Sequence, residues 1–326
     1  MASPLAFPSR TSGAQTVLLA DIGGTTTRVA RIGRDGAPFD IRLEANDSYG
    51  NLAELLLDYL AQTGGGRPRI AVLAVACPVD GEEVRLVNRA WSFSRDQLAE
   101  ELELDRLDVE NDFVALGHGV PRLKREDLLP LGAWRTPGQG VRLVCGPGTG
   151  LGAALLIPRE DGYDVMASEA GHMRFGAVTT DEARLLAHMV RDLGPVAVEH
   201  VLSGPGLERL HRILSGEELS SRAIIKAAVS GQACERESCN VFLRVLGRVL
   251  GDLALAFEAR GGVYVAGGIG RALAPLMMDS PLREAFEDHP PFSERLAKVP
   301  LHVITHATPG LLGVGEIGRR LLLEQA

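Results

Sequence analysis

Cysteine is scarce in this sequence, and its scarcity excludes two kinds of cross-link. The four cysteines, Cys77, Cys145, Cys234 and Cys239, are too few and too scattered among 326 residues to form a disulfide framework. Cys234 and Cys239 also have no plausible pair of partners that would complete a zinc site. A chain without these cross-links suits a reducing compartment. We therefore expect a cytoplasmic protein.

Long apolar runs and an excess of positive charge are lacking as well. No run approaches the roughly 20 apolar residues of a membrane span, and residues 1–15 have no apolar core of a signal peptide. We expect these first residues to be a disordered tail and the protein not to be bound to a membrane. The net charge of −8 argues against a surface that binds nucleic acid. An anionic substrate would need local capture by loops, helix ends and metal.

Two glycine-rich segments are what the sequence does contain. Residues 141–156 combine an apolar strand pattern, the turn Gly146-Pro147-Gly148-Thr149-Gly150 and a second apolar run, and residues 16–32 repeat this around Gly23-Gly24-Thr25. Glycines let the backbone approach a ligand, and the N–H groups of such turns can bind anions. Two unrelated hairpins are the alternative. The repeat favours a duplicated architecture with two phosphate loops and a cleft between two lobes.

Only the first of these segments has a carboxylate at the end of its strand. This residue is Asp21, and Cys145 stands at the equivalent position of the second segment. An aspartate beside a phosphate loop makes sense mainly if a hard cation such as Mg²⁺ lies between the two. We therefore expect unequal roles for the two loops, with the metal near Asp21.

Asn111 and Asp112 follow a short strand pattern at Leu107 to Val109 and precede a helix that starts near Phe113. Both residue types commonly cap helix N-termini, so a purely structural role is one interpretation. A carboxylate near a helix N-terminus also tends to stay ionised, and this is the state that a general base needs. Both interpretations are open at this point of the argument.

Polar residues also occur after the second glycine loop. Glu169 and His172 lie in a predicted loop or bulge, with the spacing of half a carboxylate-bridged metal site, but the sequence has no second copy. They are therefore ligand contacts or ordinary loop residues. Further on, the buried strand pattern Val263 to Ala266 ends at Gly267-Gly268. In α/β proteins, ligands bind at this end of a strand.

Nine sequence blocks stand in one order along the chain: D-I-G-G-T at 21–25, A-C-P-V-D-G at 76–81, N-R-A-W-S-F-S at 88–94, E-N-D-F at 110–113, G-P-G-T-G-L-G at 146–152, S-E-A-G-H at 168–172, E-H-V-L-S-G-P-G at 199–206, V-A-G-G-I-G at 265–270 and T-P-G-L-L-G at 308–313. This order resembles the bacterial glucokinase (hexokinase-like) family of the actin-like ATPase superfamily. The resemblance covers nearly the whole chain beyond residue 15.

The resemblance implies an α/β fold of the two-lobed actin-like ATPase (ribonuclease H-like) type, with duplicated α/β domains and a cleft between them. Residues 16–121 with 313–326 would form the small lobe, and residues 122–312 the large lobe. The implied activity is that of a glucokinase, which transfers the γ-phosphoryl group of ATP to the 6-hydroxyl of D-glucose with Mg²⁺. Because the family is often dimeric, a homodimer is also implied.

The resemblance assigns a role to each block. Asp112 matches the catalytic base, and four residues match those that hold the sugar hydroxyls: Asn111, Glu169, His172 and Glu199. Asp21 matches the acid that faces Mg²⁺, through water. The residues that match the ATP and phosphate loops are Gly23, Gly24, Thr25, Gly148, Thr149, Gly150, Gly267 and Gly268. Thr26 and Ala170 depart from the family's usual asparagine and glycine, which affects fine positioning because neither change removes a charge or a catalytic group.

Three other classes of protein fit part of the pattern. A sugar-sensing, non-catalytic relative would lose Asp112 or gain a DNA-binding segment, and we expect neither here. A Rossmann dehydrogenase is suggested by Gly148-x-Gly150-x-Gly152, but its loop should lead into a helix, whereas this one leads into an apolar strand. A kinase for another hexose, such as mannose or glucosamine, is the remaining alternative.

Overall fold

The structure is a computed structural model that describes residues 16–34, 36–64, 66–86 and 89–324. The tail expected at residues 1–15 lies outside the described residues. The chain divides into two compact units. The first consists of the chain up to Leu123 together with the chain from Ala307 onwards, and the second runs from Lys124 to His306.

The elements of the first unit, before the chain enters the second, are β1 (Val17–Ile22), β2 (Thr26–Ile32), β3 (Pro38–Ala45), α1 (Leu52–Thr63), β4 (Ile70–Val75), β5 (Glu83–Arg85), β6 (Ser92–Ser94), α2 (Arg95–Glu101), β7 (Arg106–Asn111) and α3 (Asp112–Gly119). Those of the second unit are β8 (Leu128–Pro130), β9 (Arg142–Pro147), β10 (Leu151–Arg159), β11 (Gly162–Ser168), α4 (Thr180–Leu193), α5 (Gly204–Ser215), α6 (Ser221–Val229), α7 (Ala233–Ala256), β12 (Gly262–Val265), α8 (Gly268–Met277), α9 (Leu282–Glu287), α10 (Ser293–Leu296) and β13 (Leu301–Ile304). The helix α11 (Pro309–Glu324) returns to the first unit.

The main sheet of the first unit has the strand order β3-β2-β1-β4-β7. Strands β1, β2 and β3 are antiparallel neighbours, whereas β4 and β7 run parallel to β1. The register pairs Ile22 with Val75 and Val75 with Asn111. The carboxyl ends of β1, β4 and β7 therefore meet at one edge, and this edge carries Asp21 and Asn111.

The sheet of the second unit has the order β11-β10-β9-β12-β13-β8. Strands β9, β10 and β11 are antiparallel neighbours, whereas β12 and β13 run parallel to β9. Strand β8 adds an antiparallel edge beside β13. The two sheets thus repeat one arrangement of an α/β fold with mixed sheets. The register of β9 and β12 pairs Cys145 with Val265, so the segments that follow these two residues also lie side by side.

Both faces of the first sheet are covered by helices. Along β1, the side chains alternate between the two faces, as the period of a strand requires. Leu18 and Ala20 pack with the buried face of α1, including Leu55, whereas Val17 and Leu19 belong to a separate cluster that contains the apolar face of α11. A strand buried on both faces explains the continuous apolar run from residue 17 to residue 20.

Helices α3 and α11 pack with almost no space between their backbones. A Cβ atom on Gly313 would lie 1.7 Å from the carbonyl oxygen of Ala115, and one on Gly119 would lie 3.0 Å from the backbone nitrogen of Gly313. The sequence predicted that Gly117 to Gly119 end α3 and that residues 306–313 form a loop. The first prediction is confirmed, because α3 ends at Gly119. The second was wrong, because Gly313 permits close packing of two helices and α11 already begins at Pro309.

A buried carboxylate fixes the middle of α11. Glu316 is 8 % exposed and accepts hydrogen bonds from Arg122, Arg319 and Arg320. Burial alone would raise the pKa of Glu316, but the hydrogen bonds from Arg319 and Arg122 and their positive charges outweigh it and lower this pKa to about 2. Among the helices that the structure describes, none is long and apolar enough to cross a bilayer.

Candidate active site

Two partly buried carboxylates lie close together in the first unit. Asp21 is the fifth residue of β1 and Asp112 is the first residue of α3. Burial and the negative charge of Asp21 raise the pKa of Asp112 to about 7, and hydrogen bonding to the backbone N–H of Phe113 only partly opposes this. Burial also raises the pKa of Asp21, against the nearby charge of Arg28. Asp112 is therefore poised to gain or lose a proton near neutral pH.

The helix that carries Asp112 is capped by its neighbour. The Oδ1 atom of Asn111 accepts the backbone N–H of Phe113 at 2.9 Å and that of Val114 at 3.3 Å. Asp112 Oδ1 shares only the N–H of Phe113, also at 2.9 Å. Asn111 therefore fills the capping role that the sequence allowed for both residues. Its Nδ2 atom, 3.5 Å from the carbonyl oxygen of Cys77, remains a donor for a ligand.

The first predicted phosphate loop connects β1 to β2. It consists of Gly23, Gly24 and Thr25, and the N–H of Gly23 donates to the carbonyl of Thr26 at 3.0 Å. The loop begins two residues after Asp21, so the carboxylate and the loop share one edge of the sheet. This is the arrangement that the sequence predicted for the first loop.

The start of α11 is a part of this region that sequence reasoning missed. A Cβ atom on Gly310 would lie 2.7 Å from Asp21 Oδ2 and 3.0 Å from Asp21 Oδ1. The carboxylate of Asp21 therefore rests against the backbone of the first turn of α11, and only glycine leaves room for it. The proline at position 309 was the available signal, because proline is favoured at the first position of a helix.

The second predicted phosphate loop lies in the second unit, between β9 and β10. The N–H of Gly148 donates to the carbonyl of Gly150 at 2.8 Å, and the carbonyl of Gly148 accepts the N–H of Gly204, the first residue of α5, also at 2.8 Å. Thr149, at the tip, is exposed. The loop is thus a tight turn whose base is attached to the start of a helix.

The Gly267-Gly268 segment lies directly beside the second loop. A Cβ atom on Gly146 would lie 1.9 Å from the carbonyl oxygen of Ala266, and one on Gly267 would lie 2.4 Å from that of Pro147. Gly267 also has a φ of +82°, which favours glycine. Because Gly268 is the first residue of α8, this segment presents a helix N-terminus at the carboxyl end of β12, which is a common position for phosphate and nucleotide groups.

The three polar residues predicted to hold a sugar in the second unit come together. His172 Nε2 lies 3.6 Å from Glu169 Oε2, and His172 Nδ1 lies 3.5 Å from Glu199 Oε1. The side chains of Glu169 and His172 are 74 % and 62 % exposed, so both are accessible to a ligand. Gly171 permits this geometry, because a Cβ atom there would lie 2.4 Å from the carbonyl oxygen of Leu151.

Glu199 joins this polar group to the second phosphate loop. Its Oε2 atom accepts the backbone N–H of Leu151 at 3.4 Å, and a Cβ atom on Gly150 would lie only 2.6 Å from the same oxygen. The carboxylate therefore occupies the space that a side chain at position 150 would need. One residue contacts both the backbone of the phosphate loop and the histidine of the polar group.

The carboxylates fit a metal that is shared with a ligand better than a metal held by protein alone. Among the described residues, no group of three or more His, Cys, Asp or Glu side chains could hold a metal ion. Mg²⁺ in phosphoryl-transfer sites usually keeps several waters and takes only one or two carboxylates besides the phosphates. Asp21 offers such a carboxylate, and its repulsion with Asp112 would be relieved by a nearby cation.

Comparison with known proteins gives one consistent match. The glucokinase family model matches residues 18–321. The glucokinase of Aromatoleum aromaticum is 40 % identical over 94 % of this chain and 96 % of its own length. The glucokinase of Chromobacterium violaceum is 38 % identical over 91 % of this chain and 87 % of its own length. Among solved structures, a glucokinase from an Antarctic psychrotroph is 29 % identical, with a TM-score of 0.82 over 94 % of this chain and 99 % of that one.

Proposed function

The chain belongs to the glucokinase family, and we propose from this premise that it transfers the γ-phosphoryl group of ATP to the 6-hydroxyl of D-glucose. The products are glucose 6-phosphate and ADP, the first step of glycolysis. The observation that carries this proposal is the partly buried carboxylate of Asp112 beside Asp21, whose pKa of about 7 suits proton transfer at neutral pH. It lies near Asp21, at the sheet edge from which the first phosphate loop extends.

Asp112 is the general base of the proposed reaction. In its ionised form it accepts the proton of the glucose 6-hydroxyl as the oxygen attacks the γ-phosphorus of ATP. A base whose pKa lies near the working pH combines a substantial ionised fraction with a useful driving force for proton transfer. Because Asn111 caps the helix, the carboxylate of Asp112 is left for this role.

The phosphates of ATP are bound by backbone N–H groups of the two phosphate loops, around Gly24 with Thr25 and around Gly148 with Thr149. Phosphoryl transfer needs charge neutralisation and in-line positioning more than covalent participation of the protein. Mg²⁺, when bound, neutralises phosphate charge, and Asp21 would hold it through water. Gly267 and Gly268 would lie against the adenosine.

A neutral sugar is held by a ring of fixed donors and acceptors. Asn111 would donate through its amide, and Glu169, His172 and Glu199 would contact several hydroxyls. A glucokinase from Balamuthia mandrillaris has been solved with glucose, and one from Streptomyces griseus with glucose and AMPPNP.

The direct test is a coupled assay of ADP formation with purified protein, ATP, excess Mg²⁺ and a panel of glucose, mannose and glucosamine. We expect the highest kcat/KM with glucose and no turnover when Mg²⁺ is removed by a chelator. Absence of ATP turnover with every hexose would contradict the function, and a preference for another hexose would correct the substrate.

Three finer points belong to the same proposal. The fold is of the actin-like ATPase type, with two lobes that close on glucose, so the radius of gyration from small-angle scattering should fall when glucose and a nucleotide analogue are added. An unchanged radius would contradict closure. The protein would be a cytoplasmic homodimer, and light scattering coupled to size exclusion would measure its mass.

A further inference from the structure

A short turn that follows β3 is attached to the first phosphate loop. Asn46, the first residue of the 3₁₀ turn Asn46–Ser48, is fully buried. Its Oδ1 atom accepts the hydroxyl of Thr27 at 2.7 Å, and its Nδ2 atom donates to the carbonyl of Gly23 at 2.8 Å. The carbonyl can only accept, which fixes the orientation of the amide. A buried polar side chain is thus satisfied through the loop itself.

The other two carbonyls of the loop are held by the same turn or by an arginine that contacts it. The backbone N–H of Asn46 donates to the carbonyl of Thr25 at 3.0 Å. The carbonyl of Gly24 lies 3.4 Å from Nη1 of Arg89, and the guanidinium of Arg89 contacts Asp47 Oδ1 at 2.8 Å. Three successive carbonyl groups therefore point toward the turn or toward the arginine that the turn holds.

The direction of the carbonyls determines the direction of the N–H groups. In a planar trans peptide, the N–H of one residue points opposite to the C=O of the residue before it. The N–H of Gly24 therefore points away from Asn46, and the N–H of Thr25 points away from Arg89. Successive N–H groups that point to one side form the kind of concavity that binds anions.

We propose that Asn46 is a positioning residue for ATP, because it orients the first phosphate loop so that its N–H groups face the phosphates, with Asp47 and Arg89 supporting the middle of the loop. This rests on the proposed function and adds a residue to it. A role in stability alone would not require these polar groups, since replacing both partners of a buried hydrogen bond by apolar groups of similar shape can be nearly neutral.

The test compares variants at positions 46 and 51. In Asn46→Asp, the acceptor for Thr27 remains but the donor to the Gly23 carbonyl is lost, and we expect KM for MgATP to rise about tenfold while KM for glucose changes less than threefold. Asn51→Ala is the control, because Asn51 only caps α1 by accepting the N–H of Glu54 at 2.8 Å. It should lower stability with both KM values unchanged.

Two further measurements make the outcome decisive. Asp47→Ala alters a side chain that is 89 % exposed, so the protein should fold, and we expect a smaller rise in KM for MgATP, about threefold. Calorimetric titration with Mg-AMPPNP measures the loop without turnover, so it separates this inference from the function itself. Equal nucleotide affinity in wild type and Asn46→Asp, or equal rises of both KM values, would overturn the proposal.

Discussion

Replacing Asp112 by asparagine separates the chemistry of this carboxylate from its place in the fold. Asn111 caps α3 through two N–H groups, so the helix should start at the same residue in the variant. Asparagine cannot accept the proton of the 6-hydroxyl, and kcat should fall by at least about 10²–10⁴-fold. The affinity for glucose should fall much less, because the residues assigned to the sugar hydroxyls are unchanged.

The same substitution should stabilise the protein at pH 8. The pKa of Asp112 rises from 3.8 to about 7, by burial first and by the charge of Asp21 second. The folded protein therefore binds this proton more tightly than the unfolded chain, so stability falls as the pH rises from 3.8 to about 7, and the loss is complete above that range. The loss of folding free energy over this pH interval has an upper limit of about 4 kcal/mol. Asparagine does not ionise and removes the loss.

The pH dependence of wild-type activity gives an independent check on the same pKa. The ionised fraction of a group with a pKa of about 7 rises roughly tenfold between pH 6 and pH 8, so kcat/KM should rise by about that factor. The mutant comparison needs a coupled assay, glucose calorimetry and urea unfolding at pH 5.5 and pH 8. Near-normal kcat in folded Asp112→Asn would refute the base assignment, and lower stability than wild type at pH 8 would refute the electrostatic argument.

Three other substitutions test separate parts of the structure. Glu169→Gln should weaken glucose binding in calorimetry more than it lowers kcat, because a charged acceptor of hydroxyl groups is lost; the reverse would contradict its assignment. Gly313→Ala places a Cβ atom 1.7 Å from a backbone oxygen and should lower the free energy of unfolding by about 3 kcal/mol or more, whereas Gly66→Ala, with no atom within 4 Å, should change it by about 0.5 kcal/mol or less. Glu316→Gln should lower the free energy of unfolding by about 3 kcal/mol at pH 7. The stability difference between wild type and variant should shrink as the pH falls from 4.5 towards 2, because the pKa of this carboxylate is lowered to about 2. A stability difference that is equal at pH 7 and pH 3 would contradict its electrostatic origin.

The sequence predicted those features that are encoded by neighbouring residues. A strand, a glycine turn and a second strand are local patterns, and both predicted hairpins are present as β1–β2 and β9–β10. The junction that carries Asn111 and Asp112 was also predicted, because a capping residue precedes the helix. Glycine was misread at position 313, since a loop glycine and a close-packing glycine look identical without the partner helix.

Features that depend on distant partners could not be predicted. Asn46 has no local signal, because its roles come from Gly23 and Thr27, which lie 23 and 19 residues away in the chain. The contact between Gly310 and Asp21 joins the two ends of the chain. In both cases, the neighbour that gives the residue its role is determined by the topology of the sheet and not by local sequence.

The position of α11 has a consequence for the order in which the protein can fold during synthesis. Val17 and Leu19 lie in one cluster with Leu311 and Val314, so one face of the first sheet stays uncovered until the last helix has been translated. At about 5–20 residues per second, a ribosome needs roughly 10–40 s to translate the intervening second unit. That unit is continuous in sequence and can fold as soon as it emerges. The unit that carries Asp112 can therefore be completed only after the whole second unit has been translated.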